Sequence, residues 1–174
     1  MGLLERAESL AAVSRLLARA RARTGSSLFI RAGAGLGKSS LLSEAQRMAV
    51  QEFRIGASRG DAMETWFPFG LVNAALEQLG GPELVGARSD LPAGADARAA
   101  RFISVLRWLQ ADSPQPVLVI LDDLHWADAD SLALMSFLAR RLADQPVALL
   151  GSLRPWPSDA DEVASALAKS GHAT

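Results

Sequence analysis

There is no cysteine among the 174 residues, so a disulfide scaffold and a thiolate metal site are both excluded. No apolar run approaches the ~18 residues of a membrane-spanning helix. Positive charge is not in surplus. The chain has 18 Lys and Arg against 19 Asp and Glu, a net charge of −1, so no global basic field points to nucleic acid as a direct partner of this segment. Histidine is scarce, with two in the chain. With no cluster of partners around it, His125 is expected to be structural or a phosphate-side neighbour, not a metal ligand. The N-terminus lacks a signal-peptide pattern. Gly2 begins a myristoylation pattern, but Arg6 stands where Ser or Thr is needed. The expectation is a cytoplasmic protein without a membrane partner. What is abundant is apolar side chain, 49% of residues, which argues against disorder and supports one domain with a real core.

The residues are organised around Ala32-Gly33-Ala34-Gly35-Leu36-Gly37-Lys38-Ser39. A short apolar run, Ser27-Leu28-Phe29-Ile30, precedes it with strand character. After it, Leu41, Leu42, Ala45, Met48 and Ala49 fall on one helix face. Strand, glycine-rich turn, Lys-Ser and helix are the layout of a phosphate-binding P-loop. Glycines let backbone N–H groups converge on phosphate oxygens, and the following helix aims its free N–H groups and positive end at the same anion. The candidate nucleotide contacts are Gly33, Ala34, Gly35, Leu36, Gly37, Lys38, Ser39 and Ser40. Lys38 would reach the β and γ phosphates, and the Ser39 hydroxyl would ligate Mg²⁺. Ala32 stands where the pattern has its first glycine. Positive φ there would cost roughly 1–2 kcal/mol, so Ala32 is expected to leave the strand with negative φ.

Periodicity predicts helices over 8–23, 71–79, 96–111, 132–143 and 159–169, besides the one after the P-loop. It predicts strands over 27–31, 53–58, 117–121 and 147–153. Arg15, Arg19, Arg21 and Arg23 read as a solvated helix face that also suits the negative C-terminal end. Trp66, Phe67 and Phe69 lie in a loop where they either plug the core or stack on a base. Asp130 or Ser131 is expected to cap the helix that follows. Residues 80–94 read as a Gly/Pro-rich surface loop carrying one arginine, Arg88.

Val117-Leu118-Val119-Ile120-Leu121 suits a central parallel strand buried on both faces. It ends in Asp122-Asp123, at the carboxyl end where parallel sheets bind ligands. A hydrophobic strand ending in acid downstream of a P-loop is the Walker B arrangement. Asp122 would hold Mg²⁺ through water. Asp123 stands where many ATPases keep a glutamate that orients the attacking water, and it is one methylene shorter. Arg154 follows the last strand and is a candidate sensor of the γ-phosphate.

Together, Leu-Leu-Glu-Arg at 3–6 with the Arg-rich helix, Pro68-Phe69-Gly70, the P-loop stretch 34–42, Leu-Asp-Asp-Leu-His-Trp-Ala-Asp at 121–128 and Gly-Ser-Leu-Arg-Pro at 151–155 resemble one family. It is the AAA-type (STAND class) ATPase domain of large LuxR-type bacterial transcriptional regulators. The resemblance covers nearly the whole chain and implies ATP or ADP with Mg²⁺ at Lys38, Ser39, Asp122 and Arg154. It also implies a nucleotide-controlled switch that self-associates, with DNA binding left to another domain. Residues 4–10 depart from the family's usual Gly-Arg-Glu-x-Glu-Leu, keeping Arg6 but neither glutamate of that register. The implied fold is a three-layer α/β/α P-loop NTPase with a parallel sheet in the order 5-1-4-3-2. No fifth strand is legible before Thr174, so residues 1–174 are expected to be a single domain that is incomplete at its C-terminal side. Two other functions stand beside the switch. One is a free-standing NTPase or small-molecule kinase, which the single arginine of the 80–94 loop argues against as a lid. The other is a remnant that binds no nucleotide and mediates protein contacts.

Overall fold

The computed structural model describes residues 3–84, 95–111 and 113–174, and the side chains of 6–84, 97–111 and 113–174. Most of the 80–94 loop, with Arg88, lies outside them. Four parallel strands, β1 (Ser26–Arg31), β2 (Arg54–Arg59), β3 (Val117–Asp122) and β4 (Val147–Leu153), form one sheet in the order β1-β4-β3-β2. Among the described residues, six α-helices flank it: α1 (Leu3–Arg21), α2 (Lys38–Ala49), α3 (Gly70–Gln78), α4 (Ala95–Gln110), α5 (Ala129–Ala139) and α6 (Asp159–Lys169).

The strands sort the layers by their two-residue period. Leu118 and Ile120 of β3 and Ala148 and Leu150 of β4 face α1 and α2, joining Val13, Leu16, Leu17, Ala20, Leu41 and Leu42. Their neighbours Val119, Leu121, Leu149 and Leu153 face the other way, into a core with Leu76, Val105, Leu134 and Ala164 from the four later helices. Every residue of β3 and β4 is buried, as strands covered on both faces require. This is the three-layer α/β/α architecture with the P-loop strand at β1.

The two sheet edges are handled differently. Along β2, the Gln78 side chain acts as a strand substitute: its amide oxygen accepts from Ala57 N at 3.1 Å and its nitrogen donates to Ala57 O at 2.7 Å. That blunts an exposed ladder. Gly56 lets α3 approach, since a Cβ there would stand 2.2 Å from Ala75 O. Along β1, Thr174 N donates to Ser27 O at 3.0 Å and Phe29 N donates to Thr174 O at 2.9 Å. This is a parallel bridge, on the side where the order 5-1-4-3-2 has its fifth strand.

Of the boundaries that differ from the sequence expectation, three change what the residues there do. Helix α1 starts at Leu3, because Leu, Glu, Arg and Ala continue the helix without a break. It ends in a Schellman arrangement, with Arg23 at φ 57° and Thr24 N donating to Arg19 O at 2.8 Å. Strand β2 extends to Arg59, which pairs with Asp122 of β3, so Arg59 belongs to the sheet and not to a loop. Helix α5 begins at Ala129 and is capped by Asp128, not by Asp130 or Ser131: Asp128 Oδ1 accepts from Ser131 N at 2.8 Å. The same oxygen accepts from Phe69 N at 2.8 Å, 59 residues earlier.

Asp128→Ala is therefore expected to lose both a helix cap and the partner of a buried N–H, about 2–4 kcal/mol together. Asp128→Asn, which keeps the acceptor, should lose less than half of that. Urea unfolding with an unchanged slope measures both; equal midpoints for the two variants would refute the shared-acceptor assignment.

Candidate nucleotide site

The loop between β1 and α2 is shaped by two glycines that cannot be replaced without strain. Gly35 and Gly37 have φ of 74° and 80°, and a Cβ on either would meet nothing within 4 Å. The left-handed backbone, not crowding, demands glycine here, and it leaves the space above the loop open. Ala32 has no positive φ, as its strand-end position requires. Gly37 precedes α2 without a side-chain cap, and no acid stands in the first turn. The first intrahelical bond runs from Leu41 N to Gly37 O at 3.0 Å. The N–H groups of residues 38–40 thus begin a helix with no carbonyl to serve them, a ready anion site.

Lys38 is buried and folds back over this loop, its Nζ donating to Ala32 O at 2.9 Å and Gly33 O at 3.1 Å. Its ammonium is held above the loop by bonds that a phosphate oxygen could replace. Ser39 Oγ donates to Asp122 Oδ2 at 2.9 Å, joining residues 83 apart. The other Asp122 oxygen accepts from Ser152 Oγ and, at 2.9 Å, from Asp123 N. Ser152 is fully buried. The Asp122 carboxylate is thus fixed in orientation, with the Ser39 hydroxyl against one oxygen. Hydroxyl and carboxylate oxygens are the hard donors Mg²⁺ takes. Among the described residues no three acids or histidines are placed to hold a metal together, so a metal here would keep waters and phosphate oxygens as its other ligands.

Asp123 stands in the left-handed region at φ 52°, an uncommon conformation for a residue with a side chain and a frequent mark of functional positions. Its Oδ2 accepts from Arg59 Nε at 2.9 Å and Nη2 at 2.7 Å. Asp123 is buried, whereas 70% of the Arg59 side chain is exposed. A solvent-facing guanidinium therefore holds an enclosed carboxylate, and this ion pair holds the guanidinium proton more tightly than usual. Arg154, just past β4, lies over the Trp156 ring, with Cζ 4.8 Å from its centroid and a buried Nε without a partner. Arg59, Asp123, Trp126 and Arg154 share a cleft of about 470 Å³ at the carboxyl ends of β2, β3 and β4. Arg6 reaches the opposite side of the P-loop, lining a smaller cleft with Gly35, Leu36 and Gly37.

The imidazole of His125 has no exposed surface, and neither ring nitrogen has a hydrogen-bond partner. It lies between Trp126, 5.0 Å away and tilted, and Trp156, 5.2 Å away and edge-on. Burial pushes its pKa below the usual 6.5; the Asp123 carboxylate opposes that shift, and the cations Arg154 and Lys38 reinforce it. An enclosed neutral imidazole with both nitrogens unmet forfeits about 1–3 kcal/mol per group.

The structure brings Lys38, Ser39, Asp122 and Asp123 together at one end of the sheet, with Arg154 on the adjoining cleft. Sequence reasoning missed Arg59 and Ser152. Their signal was positional: each sits at or near the carboxyl end of a strand neighbouring β3. The aromatic loop splits: Phe69 takes the expected core role, while Trp66 and Phe67 are exposed.

Among solved structures, the chain is similar to one in the structure of Drosophila ORC bound to DNA, with 13% identity, a TM-score of 0.50, and coverage of 88% of this chain and 79% of that one. Two structures of Drosophila ORC with Cdc6, on AT-rich and GC-rich DNA, match at 16% and 15% identity and TM-scores of 0.48 and 0.44. Each covers 85% of this chain, which spans 50% and 51% of theirs. At these identities the likeness concerns the fold alone. No curated protein matches the chain. The AAA ATPase domain family matches residues 2–150, a span that holds the P-loop and the acid-ended strand β3, and the chain belongs to that family.

Proposed function

We propose that the chain is a Mg²⁺-dependent ATP-binding switch module of a signal-responsive transcriptional regulator, with slow or conditional hydrolysis. The observation that carries this reading is the Ser39–Asp122 hydrogen bond at 2.9 Å, which joins the P-loop to the acid end of β3 at the mouth of an uncapped helix. In this reading the backbone of residues 33–40 cradles the phosphates, and Lys38 turns from the loop carbonyls to the β and γ oxygens. Ser39 and Asp122 hold Mg²⁺, which supplies charge neutralisation on the phosphates when bound. Asp123 orients water, and Arg154 leaves Trp156 for the γ-phosphate.

The Arg59–Asp123 pair supports slow turnover, because it holds the carboxylate away from water. The regulator context rests on the resemblance of stretches 34–42, 121–128 and 151–155 to LuxR-type STAND modules. There residues 1–174 act as a single AAA/STAND-type domain in the cytoplasm, and ATP promotes self-association. The ORC structures are of assemblies on DNA, but a net charge of −1 supports no direct DNA contact by this segment. No helix of the described residues is long and apolar enough to cross a membrane.

The test is an ATP titration with and without Mg²⁺. Asp122→Asn is expected to erase most of the Mg²⁺ enhancement of affinity, while Asp123→Asn leaves it within about twofold, the change expected from a charge outside the metal's ligands. The reverse ranking would assign the metal to the wrong acid.

A further inference from the structure

The His125 ring presents a puzzle that the nucleotide reading does not absorb. Its side chain is fully enclosed, both nitrogens lack partners, and two tryptophan rings confine it. An imidazole always carries donor and acceptor capacity, so a site built this way is satisfied in some other arrangement of its neighbours. The nearby oxygen is Asp123 Oδ1, 3.9 Å from Nδ1. Both Arg59 bonds fall on the other oxygen, Oδ2. The carboxylate therefore stands between a cation that is mostly in solvent and an imidazole that is wholly buried.

We infer that His125 is a positioning residue that receives Asp123 when Arg59 releases it, with Nδ1–H donating to Oδ1 and Oδ2 left free toward the cleft. The inference rests on the reading that Asp123 orients water for ATP hydrolysis. Asp123 then has two partners. Held by Arg59, its Oδ2 is occupied and turnover is low. Held by His125, the carboxylate is anchored through one oxygen and presents the other. The aromatic pair keeps the ring in place for this second state. No proton leaves His125 in this exchange; one hydrogen bond from the imidazole replaces the two from Arg59.

The first arm of the test needs no nucleotide. The chain has two histidines, so in a ¹⁵N-labelled His172→Gln background the only imidazole signals come from His125. Arg59→Ala is expected to convert Nδ1 into a protonated, slowly exchanging, downfield-shifted donor, and adding Asp123→Asn should alter that signal. An imidazole spectrum indifferent to Arg59→Ala would overturn the inference whatever the ATPase activity. The second arm is kinetic. His125→Phe keeps the ring and removes the nitrogens; it should lower kcat about tenfold with KM within about twofold, and it should cancel any gain from Arg59→Ala. His125→Asn places an amide N–H near the Nδ1 position and should recover at least half of the lost kcat. Unchanged kcat in His125→Phe, or Asn no better than Phe, would contradict the role. A parent chain that binds no ATP would sink the nucleotide reading, while the spectroscopic arm still decides the His125–Asp123 pairing.

Discussion

Lys38→Ala is expected to abolish measurable ATP binding while the fold survives. The Lys38 ammonium is buried, with 8% of the residue exposed, and is held by two loop carbonyls at 2.9 and 3.1 Å. Those carbonyls give it up to a phosphate at little cost, because one set of charge-assisted bonds replaces another. Removing the ammonium removes the only lysine or arginine of the loop itself. Bonds of this kind are worth roughly 1.5–3 kcal/mol each, so losing two weakens binding by about 10² to 10⁴. The stability loss is small by comparison. The Ala32 and Gly33 carbonyls are at partly exposed positions and can turn to water. Fluorescence or calorimetric titration, alongside thermal unfolding, measures both sides. Equal ATP affinity in variant and parent would remove Lys38 from the site.

Asp123→Asn is expected to lower turnover by about 10² to 10⁴, the range for removing a positioned acid–base group, with ATP affinity held within about threefold. Asparagine keeps the shape and one acceptor but loses the charge that polarises water. The opposite change follows from Arg59→Ala. The Arg59 side chain is 70% exposed, and solvent-exposed ion pairs hold weakly. Freeing the carboxylate should therefore raise turnover only about two- to fivefold. The two variants move in opposite directions from the same ion pair, and a merely structural pair would not do that. If Arg59→Ala slowed hydrolysis as much as Asp123→Asn, the pair would be part of the working site and not a restraint on it.

The parts legible in the sequence are those specified by local pattern. The P-loop needs glycine at fixed spacing because its φ values of 74° and 80° at Gly35 and Gly37 would strain any other residue. Strands β3 and β4 are unbroken apolar runs because both faces are covered. Arg59, Ser152 and the double role of Asp128 depend on contacts distant in sequence. Arg59 meets Asp123 across 64 residues, and a one-residue error in the end of β2 was enough to place it in a loop. Ser152 meets Asp122 across 30 residues and reads locally as one small residue in a strand. Asp128 caps α5 because its own backbone is extended, with ψ of 156°, and its Oδ1 also serves Phe69 N, 59 residues earlier; that second demand is not local to Asp128. The exposure of Trp66 was equally illegible, because its Nε1 donates to Met63 O within the same turn and leaves the ring outside.

The most direct test of the central claim, that this site binds ATP with Mg²⁺, is thermal unfolding of the 174-residue chain with ATP·Mg²⁺, with ATP plus chelator, and with no ligand. A ligand that binds only the folded form, at 100 times its dissociation constant, adds about 2.7 kcal/mol. For a chain of this length that is a rise in Tm of roughly 5–10 °C. The account predicts that rise with ATP·Mg²⁺, a smaller one with ATP and chelator, and none in Lys38→Ala. The same Tm in all three conditions, at saturating ATP, would contradict it.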